Sequence, residues 1–469
     1  MNHYCEFCIE GQNTLEHAQE FLRKLKVVKH ENNAALASKP PRLVMVDDNI
    51  HKVGGHYLEL ARLLGDAAEK RGFRCVLATH EQFARNNSEI PNRWEVYPLF
   101  DNHPMVRWSL SASGKSHNYR DLNGRIQNRK PLSSRLSQLS EWLRKPSRRP
   151  ANMLANWKYS FLKLMSQLEI QSNDYLFINT ADDFTLLALA AALHNSDLPP
   201  LNVHAIFHFS INDEATNEGQ RRNRVMQKQL QSTLNLIANH QIHIHATTEE
   251  LQRELNLIYG GHLSGVIPYP TRSSTISTGL DTEPCRAVLA GMARSEKGKS
   301  SIYRFLQNLN EHQLINSSTF RPCLQIPQNK VTSMVPKSLR QQNPDGEIEL
   351  ITNHLATEDY HQWIQQSGLG VFLYNPSRYK SRCSGVLLEM LCRGVPVIVP
   401  NHCWLSNQVN LGGGHGSIGY IYDDQDEIPR LMQRFLDERR DINARSIEYA
   451  SIIKRNHSGD ETIRRMGLL

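Results

Sequence analysis

Two Rossmann-like α/β domains facing a cleft are what this sequence predicts, on three observations. The chain has 469 residues, and a single hydrophobic core rarely grows beyond roughly 250–300 residues. Short apolar runs, strand-like in length, alternate with segments of helical period. That alternation occurs twice, on either side of a polar Ser/Thr-rich stretch at 271–283 that reads as a linker.

In the first half, RLVMVDDN (42–49) is a short apolar run of the kind expected for a buried parallel strand. A loop containing Gly54 and Gly55 follows, then Leu58, Leu60, Ala61, Leu64 and Ala67 recur at helical spacing over 56–71, closed by Gly72. FRCVLATH (73–80) is the second strand, so 42–80 forms one βαβ unit with a right-handed crossover. DYLFINT (174–180), NVHAIFHF (202–209) and the start of HIHATTEELQREL (243–255) are further strands, with helices over 184–194 and 217–234. A last helix is capped by Thr247 or Thr248. In the second half, 287–293, 348–352, 370–376 and 395–400 are the strands. The expected organisation is a tail over 1–40, an N-terminal domain over 41–270, a C-terminal domain over 271–440 and a helical segment over 441–469.

The net charge of +7 is unevenly placed. Residues 107–163 carry thirteen Lys/Arg against two acids, which leaves the rest of the chain mildly acidic. The stretch over about 100–165 breaks the strand–helix alternation and holds two amphipathic segments, RLSQLSEWLRK and NMLANWKYSFLKLM, with Trp142, Trp157 and Tyr159. It reads either as a solvated helical excursion capping the N-terminal domain or as a contact with an anionic membrane surface. No run approaches the ~18 apolar residues of a membrane span, and the N-terminus lacks the apolar core of a secretory signal. The expectation is a cytoplasmic protein, peripheral at the inner membrane face if 107–163 makes that contact, with no nucleic-acid partner. Cys5 and Cys8 form a lone Cys-x-x-Cys without the further ligands a zinc site needs.

The segment SRCSGVLLEMLCRGVPVIVP (381–400) carries the most chemistry. Ser384 and Gly385 lie where a loop becomes a helix, so the free N–H groups of Ser384, Gly385 and Val386 and the helix dipole favour an anion. Glu389, one turn on, is placed to accept from ribose hydroxyls; Gly394 closes the helix. By itself this is also the pattern of an ordinary capped helix with one Glu. A second segment, GMARSEKG (291–298), follows the first strand of the C-terminal half and offers Gly291, Arg294 and Lys297 to a phosphate.

Together these segments resemble the nucleotide-sugar signature of GT-B glycosyltransferases, notably the retaining family 4 (glycosyl transferases group 1). There, Glu, seven residues, Glu, then Gly-x-Pro and a strand mark the donor site; Glu389, Gly394 and Pro396 match, while Ser381 stands at the first glutamate. Gly-Arg-x-x-x-Glu-Lys-Gly matches at Gly291, Glu296, Lys297 and Gly298, with Met292 at the arginine position and Arg294 two residues on. Gly54-Gly55 resembles the family's N-terminal glycine loop, and His208 its cleft histidine. The resemblance implies a metal-independent, retaining transfer of a sugar from a nucleotide-sugar donor to a glycan or lipid-linked acceptor, with no cofactor beyond the nucleotide sugar itself. Catalytic roles then fall to Lys297, Arg294, Glu389 and His208. Donor contacts fall to Gly54, Gly55, Gly291, Lys297, Tyr379, Arg382, Ser384, Gly385, Val386 and Glu389. It also implies that the C-terminal helices cross back to the first domain. A nucleotide-sugar epimerase and a catalytically inactive nucleotide-sugar-binding protein are the alternatives.

Overall fold

The computed structural model describes residues 40–51, 56–84, 90–101, 150–194, 197–210, 231–259, 263–341 and 347–468. Two parallel sheets organise them. The first has the order β3-β2-β1-β4-β5-β6-β7, built from β1 Arg42–Asp47, β2 Arg74–His80, β3 Glu95–Phe100, β4 Tyr175–Ile178, β5 Asn202–Phe207, β6 Gln241–Ala246 and β7 Leu263–Val266. The second has the order β10-β9-β8-β11-β12-β13, from β8 Cys285–Leu289, β9 Phe320–Gln325, β10 Glu349–Ile351, β11 Leu369–Val371, β12 Val397–Pro400 and β13 Gly419–Tyr422. Each chain path winds outward from a central strand and then restarts on its other side. Topological switch points therefore lie between β1 and β4 and between β8 and β11, where ligands bind in open α/β sheets.

The principal helices are α1 His56–Glu69, α2 Pro150–Gln167, α3 Asp183–Leu193, α4 Glu249–Tyr259, α5 Ile302–Glu311, α6 Thr357–Ile364, α7 Gly385–Cys392, α8 Trp404–Leu411, α9 Ile428–Asn456 and α10 Gly459–Arg465. Both faces of each sheet are covered. Val44 and Val46 of β1 pack with Trp157, Phe161 and Phe184 from α2 and α3. The alternate residues Leu43 and Met45 pack under α1, as the period-2 geometry of a strand requires. In the second domain, Phe305 and Phe435 fill one face, and Leu387 and Met390 of α7 the other.

The strands expected from the apolar runs form, shortened at their ends. Thr248 caps α4, its hydroxyl accepting from the Leu251 N–H at 3.0 Å. Four strands escape the sequence reading: β3, β7, β9 and β13. Proline interrupts β3 (Pro98) and β9 (Pro322), and β3 lies at the sheet edge, where a missing N–H is tolerated. The described end of the basic stretch, α2, caps the N-terminal domain, as the first of its two readings expects. Trp157 is buried against Phe100, Phe161 and Phe184, its indole N–H donating to the Asp101 carbonyl, and only Tyr159 of its aromatic pair is exposed. The rest of that stretch (102–149), most of the 217–234 helix, the Cys5/Cys8 pair and Gly54-Gly55 lie outside the described residues.

Helix α9 runs unbroken through position 440, and α10 returns to the first domain. There Ile463 and Leu468 join the core beneath α1, the Thr462 hydroxyl donates to the Pro268 carbonyl at 3.0 Å, and Arg71 pairs with Asp460 at 2.7 Å. The C-terminal turn thus completes the N-terminal core. Truncating fully buried Ile463 to alanine should cost about 2–5 kcal/mol of unfolding free energy in urea titration. The same change at exposed Ile452 should stay within about 0.5 kcal/mol.

Candidate functional site

At the switch point of the second sheet, the chain leaves β8 through Gly291, whose φ of +84° puts it in the left-handed region. Its N–H donates to the Gln325 side-chain oxygen at 2.7 Å. A Cβ here would lie 2.3 Å from Lys297 Nζ, so the ammonium rests directly on the glycine. Lys297 comes from the short 3₁₀ turn Ser295–Lys297 and sits 5.6 Å from the centre of the Tyr374 ring. The floor around it is apolar, formed by Leu289, Ala290, Ile302, Val371 and Leu373. Burial, then the charges of Arg294 and Arg382, push its pKa down to about 8, with Glu389 and Glu296 opposing. This desolvated cation has no carboxylate partner among the described residues.

Helix α7 begins beside it. The Ser384 hydroxyl caps the helix by accepting from the Leu387 N–H at 3.3 Å. Gly385 lets the ring of Tyr269, from the end of the first domain, come within 3.3 Å of where its Cβ would stand. Val386 lies 3.7 Å from that same imagined Cβ on Gly291. Glu389 follows, buried, with one carboxylate oxygen accepting from the Tyr360 hydroxyl at 2.8 Å. Tyr379 is buried in the preceding loop, and Arg382 stacks on it, with its guanidinium carbon 5.2 Å from the ring centre. The guanidinium of Arg382 also lies over the ring of Phe209 of the first domain, at 4.5 Å.

The first domain contributes the C-terminal ends of β1, β4 and β5. Asp47 is buried there, accepting from Asn179 Nδ2 at 2.7 Å and the Thr180 hydroxyl at 3.1 Å. Burial, then the charge of Asp48, raises its pKa to about 6. The backbone carbonyl of Asn179 in turn accepts from His208 Nε2 at 2.7 Å. Burial holds His208 neutral, its pKa lowered to about 4; that hydrogen bond opposes the shift and the charge of Arg382 adds to it. Its remaining ring nitrogen is left as an acceptor. His204, two residues earlier on β5, instead stacks with His243 and His245 in the sheet.

Several contacts tie the two domains across this site. The Thr248 hydroxyl donates to the Ser381 carbonyl at 2.7 Å, and Asn407 to Glu250 at 2.8 Å. His361 of α6 meets Glu59 of α1 at 2.8 Å through Nε2, while its Nδ1 accepts from Arg393 Nη2 at 3.1 Å. Arg393 is itself buried and donates from Nη1 to the Glu389 carbonyl at 2.8 Å.

The chain matches no protein-family model and no curated protein sequence. Solved structures do share its architecture. The N-terminal domain of trehalose-6-phosphate phosphatase from Candida albicans aligns over 94% of this chain and 99% of that one at 11% identity, with a TM-score of 0.59. Sucrose-phosphate synthase from Thermosynechococcus elongatus aligns over 91% and 98% at 10% identity and a TM-score of 0.57. Anabaena HepE, solved with UDP, aligns over 91% and 98% at 12% identity and a TM-score of 0.55. The fold is GT-B.

Within the GT-B cleft, Gly291, Lys297, Ser384, Gly385, Val386, Glu389, Tyr379 and Arg382 gather around one switch point, and His208 reaches them from the opposite domain through Arg382. Arg294 is exposed at the rim. Tyr57, at the start of α1, lies within reach of the charges of Asp47, Arg382 and Arg294. Sequence reasoning missed Tyr360, Arg393, His361, Asp47 and Asn179. Only Asp47 carried a signal, as a carboxylate at the end of a buried strand.

The depressed pKa of Lys297 has a measurable sign. Its ordinary value is 10.5 and its folded value about 8, so between these the unfolded chain holds the extra proton and stability rises with pH. Lys297→Met should therefore be the more stable protein at pH 7. Its urea-midpoint advantage over wild type should shrink steadily from pH 8 to about 10.

Proposed function

We propose that this chain is a glycosyltransferase that moves a sugar from a nucleotide-sugar donor bound mainly by the C-terminal domain to an acceptor bound mainly by the N-terminal domain. The observation that carries this reading is the ammonium of Lys297, half-buried above Gly291 with no carboxylate partner among the described residues, beside the start of α7 and with buried Glu389 one turn further on. A departing nucleoside diphosphate supplies the anion that this cation lacks. In the proposed reaction, Lys297 and Arg294 neutralise the diphosphate, the N–H groups of Ser384–Val386 take a phosphate oxygen, and Glu389 accepts from the ribose hydroxyls. Breaking the bond from the anomeric carbon to the diphosphate oxygen leaves the electron pair on the diphosphate, facing these donors; the acceptor hydroxyl bonds the anomeric carbon on the same face and passes its proton to the departing diphosphate oxygen, giving retention. His208 and Asp47 line the acceptor side.

Similar solved structures carry related ligands: HepE with UDP-glucose, and a trehalose-6-phosphate enzyme from E. coli with UDP-2-fluoro-glucose. These make uridine nucleotides the first donors to test. The acceptor we favour is a glycan or a lipid-linked glycan. Among the described residues no helix is long and apolar enough to cross a membrane. Since α2 turns Trp157 inward, any contact with an anionic membrane through 107–163 rests on other residues of that stretch.

A melting-temperature screen against UDP, GDP, ADP, CMP and their sugar conjugates tests the donor site. A ligand at a hundredfold excess over its dissociation constant adds about 2.7 kcal/mol of stability. One nucleotide should raise the melting point, and Lys297→Ala or Glu389→Ala should weaken its binding about tenfold or more. Turnover with the cognate acceptor should survive chelator and give a product of unchanged anomeric configuration. Interconversion of the free donor would instead identify an epimerase, and binding without turnover or hydrolysis across an acceptor panel would identify an inactive binder.

A further inference from the structure

Three cations converge on this cleft, and a nucleotide sugar accounts for two of them. Lys297 and Arg294 match a sugar-linked diphosphate, whose two phosphates each carry one negative charge. Arg382 remains. Its guanidinium, half-buried, lies against two rings, Phe209 of the first domain at 4.5 Å and Tyr379 of the second at 5.2 Å. Aromatic faces hold it by cation–π attraction, but they leave the N–H fork at its edge with no acceptor: among the described residues Arg382 makes neither a hydrogen bond nor an ion pair.

The carboxylates around the cleft are otherwise engaged. Glu389 takes the Tyr360 hydroxyl, Glu59 takes His361, and Asp47 takes Asn49, Asn179 and Thr180. Ser381, next to Arg382, is a buried hydroxyl-bearing residue whose carbonyl is held by Thr248. The position of Arg382 is equally specific. Two residues on, Ser384 opens the helix that faces the diphosphate. On its other side lie Phe209 and His208 at the end of β5, and its charge also reaches Tyr57. It stands where the donor's sugar end meets the acceptor domain. A planar guanidinium fork, pinned by two rings, matches a carboxylate or a phosphate through two parallel hydrogen bonds.

We infer that the cleft is built for an acidic saccharide: one of the two sugars brought together between the domains carries a carboxylate or phosphate that Arg382 binds. This rests on the nucleotide-sugar reading above. The test is calorimetric, on the intact chain, in the uridine series or whichever series the melting screen selects. One arm compares UDP-glucuronate with UDP-glucose. The other compares glucose 6-phosphate with glucose in the presence of saturating UDP. The wild-type protein should bind the acidic member of one pair about tenfold or more tighter than its neutral partner, and the arm that responds says whether donor or acceptor carries the charge. Arg382→Gln should abolish that preference while leaving affinity for UDP itself within about threefold. Arg382→Lys, which keeps the charge but not the fork, should retain part of it and control for misfolding. The inference is overturned if neither pair discriminates in wild type, or if Arg382→Gln weakens UDP as much as it weakens the acidic ligand, which would make Arg382 a third diphosphate cation. If no nucleotide binds at all, the donor-site reading has failed and this one falls with it.

Discussion

Arg393 is the side chain on which the geometry of the cleft depends. Its guanidinium is almost wholly removed from solvent, and burial pulls its pKa down from its ordinary value. A buried charge persists only where its donors are satisfied, and three acceptors from two helices meet that demand. Gln365 accepts from Nε at 3.2 Å, His361 from Nη2 at 3.1 Å, and the Glu389 carbonyl from Nη1 at 2.8 Å. Because Nη2 can only donate, His361 must present Nδ1 as an acceptor and its Nε2 proton to Glu59 in the other domain. One arginine thereby fixes the end of α7, the tautomer of a histidine and a contact between domains. The carboxylate of Glu389 projects from the same turn whose carbonyl Arg393 holds.

The polar groups elsewhere in the cleft follow the opposite logic. Arg393 has an acceptor at each of its three nitrogens, whereas Lys297 and Arg382, both half-buried, have no acid partner among the described residues. Such groups raise the free energy of the empty protein and lower that of any complex that supplies the missing charge. This is why their depressed or unpartnered state reads as a binding feature rather than as a stabilising one. The N-terminal side is arranged differently again: Asp47, Asn179 and His208 form a chain of hydrogen bonds along the ends of β1, β4 and β5.

The sequence made the fold legible wherever the signal was local. The βαβ unit from Arg42 to His80 announces itself through apolar runs, helical spacing and a closing glycine, and Lys297 and Glu389 sit at fixed offsets from glycines and strands. It was silent where the determinant is non-local. Strands β3 and β9 contain Pro98 and Pro322, so local propensity argues against them, and pairing with β2 and β8 overrides it. Trp157 has the same composition signal on a membrane-facing helix as on a core-facing one; only its packing against Phe100 and Phe184 separates the two. His361 and Arg393 are thirty-two residues apart, and Glu59 lies more than three hundred residues from His361. No spacing rule connects such partners. Arg382 was named as a donor residue from its loop, but its lack of an acid partner among the described residues needed the positions of Glu59, Asp47 and Glu389.

The crossing of the chain between domains is double. The outgoing segment after β7 and the returning segment between α9 and α10 run side by side. The Thr271 N–H donates to the His457 carbonyl at 2.7 Å, and the His457 ring bonds the Tyr269 carbonyl at 3.0 Å. A single linker would let one domain both swing and twist relative to the other. Two covalent strands laced together behave as a door pin: they permit rotation about their own line and resist the remaining motions. A rotation about that line would carry Phe209 away from Arg382 and Glu59 away from His361 along one arc. Each closure therefore brings the same side chains back into register, so the precision of the site is inherited from a pair of peptide segments that take no part in its chemistry.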